Sequence, residues 1–127
     1  VPYGPIKYMA ALWMSAMARQ YPEVKFITMS PGATTGTEGF NTLSPVKQFV
    51  MKSMMKMMLM LRKVHKLEVG AKRFVDGLYN KHYESGVFYA SKKGLTGPIG
   101  EQAALFSDLN NRTFQDNAYE AIQGFIK

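Results

Sequence analysis

Two stretches rich in β-branched and aromatic residues, Val24-Lys25-Phe26-Ile27-Thr28-Met29-Ser30 and Val87-Phe88-Tyr89-Ala90, carry the strand signal of this chain, and everything between them reads as loop or helix. Strands joined by so long a helical crossover run parallel, because antiparallel neighbours need only a tight turn. Parallel sheets are covered on both faces, and two such strands alone make a poor stand-alone structure. The pattern predicts an α/β chain whose two parallel strands form the edge of a larger sheet. With 127 residues, the span 1–127 is one domain with a core and is too short for two.

Helical patterns fill the rest. Pro5 suits a first turn, where its missing N–H costs least. From about Pro5 to Arg19, Met9, Leu12, Trp13, Ala16 and Met17 recur at three- and four-residue steps. Ala10, Ala11, Ala16 and Ala18 leave room on that helix for another to approach closely. Ser44-Pro45 offers an N-cap and a first-turn proline for a helix over 45–64. A third helix spans 67–79, with Val69, Phe74, Val75 and Leu78 apolar. Residues 94–100 read as loop and 101–106 as a short helix. Thr113 and Asp116 then form the capping box of a last helix lined by Phe114, Ala118, Ala121, Ile122 and Phe125.

The first strand runs into Pro31-Gly32-Ala33-Thr34-Thr35-Gly36-Thr37-Glu38-Gly39. Glycines at the carboxyl end of a strand let the backbone approach a phosphate or a ring, and threonine hydroxyls supply hydrogen bonds. The same composition also serves as an ordinary flexible loop. It is neither a dinucleotide fingerprint nor, lacking the lysine, a P-loop.

Charge and methionine concentrate in the middle. From Lys47 to Arg73 eight basic residues meet one acid, Glu68, and this excess equals the net charge of +7 of the whole chain. Any attraction for an anionic partner belongs to this segment. Its helix carries Met51, Met54, Met55, Met57, Met58 and Met60, with Lys52, Lys56 and Lys63 in one narrow stripe. Flexible methionines suit surfaces that accommodate varied apolar shapes. Three readings compete: a buried or subunit-facing helix, a lid over an apolar substrate, and a basic amphipathic helix on a membrane surface or in a partner's groove. The basic residues are not interleaved with a stacking platform, which sets nucleic acid aside. Cysteine is absent, excluding disulfides and thiolate metal sites. His65 and His82 are not spaced as a metal pair and read as surface or satisfied polar residues. No apolar run reaches the ~18 uncharged residues of a membrane span. With no signal pattern either, a cytoplasmic protein is expected, with peripheral membrane association as the alternative.

A tyrosine and a lysine four residues apart stack on one helix face. There the ammonium favours tyrosinate and lowers the phenol's pKa toward working pH. At ~4–5 Å and an effective dielectric of about 20 the attraction is on the order of 3–4 kcal/mol before desolvation. The spacing occurs at Tyr3/Lys7, Tyr21/Lys25 and Tyr89/Lys93. Pro22 follows Tyr21, and Tyr89 lies in a strand that runs into a turn. Only Tyr3 and Lys7 can share a helix face.

Tyr3-Gly4-Pro5-Ile6-Lys7, its helix, and then Phe26-Ile27-Thr28-Met29-Ser30-Pro31-Gly32 resemble the carboxyl-terminal half of the short-chain dehydrogenases/reductases. The stretches Glu68–Arg73, Tyr83–Tyr89 and Phe114–Ala118 resemble most the retinol dehydrogenase and protochlorophyllide reductase-like branch. The resemblance implies the carboxyl-terminal part of a Rossmann-type doubly wound fold and an NAD(P)-dependent oxidoreductase acting on a carbonyl, an alcohol or a related unsaturated substrate. It implies Tyr3 as acid/base, with Lys7 binding the nicotinamide ribose and tuning Tyr3. Pro31 and Gly32 would border the nicotinamide. The family's threonine position falls on Gly36, flanked by Thr35 and Thr37, either of which can take the role. The family's substrate-covering region maps to 40–64, making Met51, Met54, Met55 and Met58 the lid over a small apolar molecule. Subunits of the family pair through the tyrosine-bearing helix, so a homo-oligomer is expected. The cofactor-binding half precedes the tyrosine in the family. The chain is therefore expected to be a partial domain that binds no NAD or NADP tightly by itself. A non-catalytic interaction module, using the basic methionine-rich helix against a membrane or an acidic partner, is the alternative.

Overall fold

The computed structural model describes residues 3–35 and 43–126. It is a mixed α/β chain with four α-helices and a three-stranded, partly parallel sheet among those residues. In order these are α1 (Tyr3–Gln20), β1 (Thr28–Met29), α2 (Pro45–Met60), α3 (Leu67–Tyr79), β2 (Phe88–Ser91), β3 (Ile99–Glu101), a short 3-10 helix (Ser107–Asn110) and α4 (Arg112–Ile126). The strand order is β1-β2-β3. As the crossover length predicts, β1 pairs parallel with β2, Thr28 opposite Phe88 and Met29 opposite Tyr89.

The sheet and the start of the last helix differ from expectation. The sheet has a third strand, Ile99–Glu101, where the sequence reads as loop and helix. The amide of Lys92 donates to Pro98 and that of Gln102 to Phe88, so the residue numbers of each pair share one sum and β3 returns antiparallel to β2. The last helix is capped by Asn111 rather than by a Thr113–Asp116 box. The Asn111 side-chain oxygen accepts from the amides of Thr113 at 3.0 Å and Phe114 at 3.3 Å. Asp116 instead pairs with Arg19 of α1 at 2.5 Å, an exposed contact of small energetic weight.

The chain divides into two compact units. The first comprises Val1–Met29, Asn80–Tyr89 and Gly100–Lys127. Its core is Ala11, Leu12, Leu109 and Ala118, with Tyr8, Trp13, Phe88 and Ala103 packed around them. The small residues of α1 do here what small residues allow, since α4 packs against this helix within the same chain. The turn before β2 also rests on α1. The Ser15 hydroxyl lies 2.5 Å from the Gly86 carbonyl and 3.1 Å from the Ala11 carbonyl, and its one proton serves the nearer. Gly86 has φ +82°, and a β-carbon there would stand 3.0 Å from that of Ala18.

The second unit comprises Ser30–Tyr79 and Ala90–Ile99. Here α3 keeps its expected bounds but turns the other way. Its buried residues are Gly70, Arg73 and Gly77, while the apolar Phe74, Val75 and Leu78 are exposed. Gly70 explains the choice, because a β-carbon at that position would collide with the Thr34 methyl and press on Pro31. Without a side chain at Gly70, the loop after β1 can come this close to α3. Helix α2 ends at Met60, short of the expected Val64, and buries no residue.

Candidate functional site

Tyr3 and Lys7 lie one turn apart at the start of α1. The other two pairs of the same spacing do not share a helix: Tyr21 follows the end of α1, and Tyr89 sits on β2 with Lys93 beyond its end. Lys7 is exposed. Two other tyrosines of this unit have raised pKa values. Burial and then Asp108 raise the pKa of Tyr8, and burial followed by Tyr21 raises that of Tyr119.

The loop after β1 is fixed within the second unit. Gly32 has φ +78°, and a β-carbon on it would stand 2.6 Å from the Leu95 carbonyl oxygen and 2.9 Å from Arg73 Nη1. Only glycine fits there. The Ala33 amide donates to the Leu95 carbonyl, the His65 amide to Ala33, and the Thr35 amide to His65. Thr34 and His65 form an isolated parallel bridge. The Thr35 hydroxyl donates to the His65 carbonyl at 3.3 Å and keeps its lone pairs for another donor. Pro31 packs near Gly70. Thr37, with Gly36 and Gly39, lies outside the described residues.

Arg73 holds this arrangement from beneath, and sequence reading missed it. Its side chain is 8% exposed. Nη1 donates to Ser91 Oγ at 3.0 Å, and Nη2 donates to the Gly97 carbonyl at 2.9 Å and meets His65 Nε2 at 3.0 Å. A guanidinium has no acceptor, so Nε2 of His65 must accept and its ring proton sits on Nδ1. Burial, and then the Arg73 charge, hold the His65 pKa below its ordinary value. The one signal in the sequence is the stripe Gly70–Arg73–Gly77 at three- and four-residue spacing, where a long cation stands between two residues without side chains.

Beside His65 an open cleft of about 440 Å³ is lined by Leu59, Arg62, Val64, His65, Lys66, Val69 and Thr96. Of the methionines expected as a lid, Met51, Met55 and Met58 are half-buried, and Met54 is more exposed at 39%. Among the described residues no group of His, Cys, Asp and Glu converges to hold a metal ion, and no helix is long and apolar enough to cross a membrane. No glycine-rich fingerprint for a pyrophosphate occurs in the sequence. Neither a protein family, a curated protein nor a solved structure matches this chain.

Proposed function

We propose that the chain is the carboxyl-terminal portion of a short-chain dehydrogenase/reductase with a Rossmann-type doubly wound fold. In the full-length protein it takes part in NAD(P)-dependent oxidoreduction of a carbonyl, an alcohol or a related unsaturated substrate. One ordered arrangement carries this reading. A tyrosine and a lysine one turn apart open an 18-residue helix, a strand in parallel pairing follows, and then come Pro31 and a Gly32 in left-handed conformation. The surface supports it. Phe74 and Leu78 of α3 and Phe125 of α4 are exposed, as apolar faces are when a larger sheet and its helices are needed to cover them.

In this reading the bound nicotinamide supplies or takes the hydride. Tyr3 passes its phenolic proton to the carbonyl oxygen as the carbonyl carbon is reduced, and the π pair of the C=O bond becomes the new O–H bond. Lys7 holds the resulting tyrosinate by its charge, donates to the nicotinamide ribose, and keeps Tyr3 ready to regain a proton from water. Pro31, Gly32 and Thr35 or Thr37 border the nicotinamide, and Met51, Met54, Met55 and Met58 cover an apolar substrate. Exposed Ile6, Met9 and Ala10 give α1 an outward apolar side on which a second copy can pair in a homo-oligomer. A cytoplasmic setting suits this chemistry.

Titration of the 127-residue chain with NADH and NADPH is expected to show no micromolar binding. The same chain extended by its upstream coding sequence is expected to reduce apolar carbonyl compounds, with a rate that Tyr3→Phe lowers about 10²–10⁴-fold. Micromolar binding by the short chain, or an extended protein indifferent to Tyr3→Phe, overturns the proposal.

A further inference from the structure

Helix α2 buries no residue, and it has two unlike sides. Val46, Phe49, Val50, Met57 and Met60 are exposed at 75%, 73%, 56%, 56% and 84%. At about 100° per residue these five fall in one arc of the helix, with Ser53 inside it. The half-buried Met51, Met55 and Met58 fall on the opposite side. The outward arc runs about 21 Å along the helix, from Val46 to Met60, at 1.5 Å per residue. Lys52 and Lys56 border one edge of it and Lys47 the other, and α2 contains no acidic residue.

We propose that this outward face of α2 is a docking surface for an anionic lipid membrane. The inference goes beyond the oxidoreductase reading and does not depend on it. An apolar stripe edged by lysines is the arrangement in which a helix lies in the plane of the headgroups. Its apolar side chains enter the acyl boundary while the lysine stems reach back to the lipid phosphates and carboxylates. Charge decides between occupants. A second copy laid on the same face by a two-fold axis would set lysines against lysines with no acid of α2 to answer them. An anionic bilayer presents the missing sign over the whole length of the stripe.

The chain has no cysteine, so Ser53→Cys gives a unique thiol for a polarity-sensitive dye in the middle of the stripe. The labelled chain is mixed with phosphatidylcholine vesicles, with and without phosphatidylserine. Blue-shifted emission and co-sedimentation are expected with phosphatidylserine at low salt, and both are lost at high salt. Substituting Lys47, Lys52 and Lys56 together by Gln is expected to lower the partition about 100-fold, at roughly fivefold for each lysine. The pair Phe49→Ser and Met57→Ser, which leaves the charge untouched, is expected to lower it at least about tenfold. These side chains are exposed, so the substitutions spare the half-buried side of α2. No binding at low salt overturns the proposal. So does binding that survives Phe49→Ser/Met57→Ser without a dye shift, because net charge alone then accounts for it. Self-association that Phe49→Ser abolishes, without vesicle binding, assigns the face to a second copy and overturns it equally.

Discussion

Replacing Arg73 by Met keeps the length of the side chain and removes the charge together with the contacts to Ser91, His65 and Gly97. Ser91 can rotate its hydroxyl to a new partner, but the half-buried Gly97 carbonyl and His65 Nε2 lose a donor. At ~1–3 kcal/mol for each stranded acceptor, the loss is about 3 kcal/mol. Total stability of a domain is only about 5–15 kcal/mol, so this is a large fraction. The effect should be local first. The Ala33, Thr35 and His65 amides, which tie the loop after β1 to Leu95 and His65, are expected to lose about 100-fold in hydrogen-exchange protection. Amides of α4 are expected to change less. Arg73→Lys keeps the charge but cannot span the same partners with a planar fork, so it falls between the two. Measured by exchange and by urea unfolding of the two variants, unchanged protection at Ala33, Thr35 and His65 in Arg73→Met would refute the assignment of Arg73 as the fastening of this loop.

Acid should weaken the same loop. The His65 pKa is held below its unfolded value near 6.5, so the unfolded chain takes up this proton first. Stability is therefore complete above about pH 6.5 and falls as the pH drops toward the folded pKa, a slope that His65→Gln removes and that pH-dependent urea midpoints measure. Gly32→Ala is expected to cost about 2–4 kcal/mol, from left-handed strain and the Leu95 carbonyl. Gly94→Ala at φ +60°, with open space around it, should cost about 1 kcal/mol in the same thermal melts. Asn111→Ala should cost about 1 kcal/mol through the lost cap, whereas Thr113→Ala is expected to be near neutral, with circular dichroism of the helix content as the readout.

Periodicity and punctuation made much of the architecture legible. Leu67–Tyr79 was readable to the residue, and the parallel pairing of β1 with β2 followed from the length of the crossover. The third strand was not readable, because Ile99-Gly100-Glu101 holds one good β-former and owes its state to the return hairpin. The orientation of α3 was hidden for a similar reason. An apolar stripe of Phe74, Val75 and Leu78 invites burial, yet close contact with Pro31 and Thr34 requires the glycine side to face inward. Among single residues, Tyr3 and Lys7 stood out by spacing and context, while Arg73 and His65 did not. Charge in a sequence reads as a solvated surface, and only the fold reveals that one cation of a basic segment has been taken inside.

The oxidoreductase reading rests on Lys7 being the one lysine, of three with a tyrosine four residues before it, that meets a nicotinamide nucleotide. The direct measurement is equilibrium titration with NADH and NADPH of the chain extended by its upstream coding sequence, as wild type and as Lys7→Ala, Lys25→Ala and Lys93→Ala. Micromolar binding, weakened about tenfold or more by Lys7→Ala and unaltered by the other two, is the predicted result, at about 1.4 kcal/mol for the lost charged contact. Absence of binding, or an equal loss in all three variants, contradicts it.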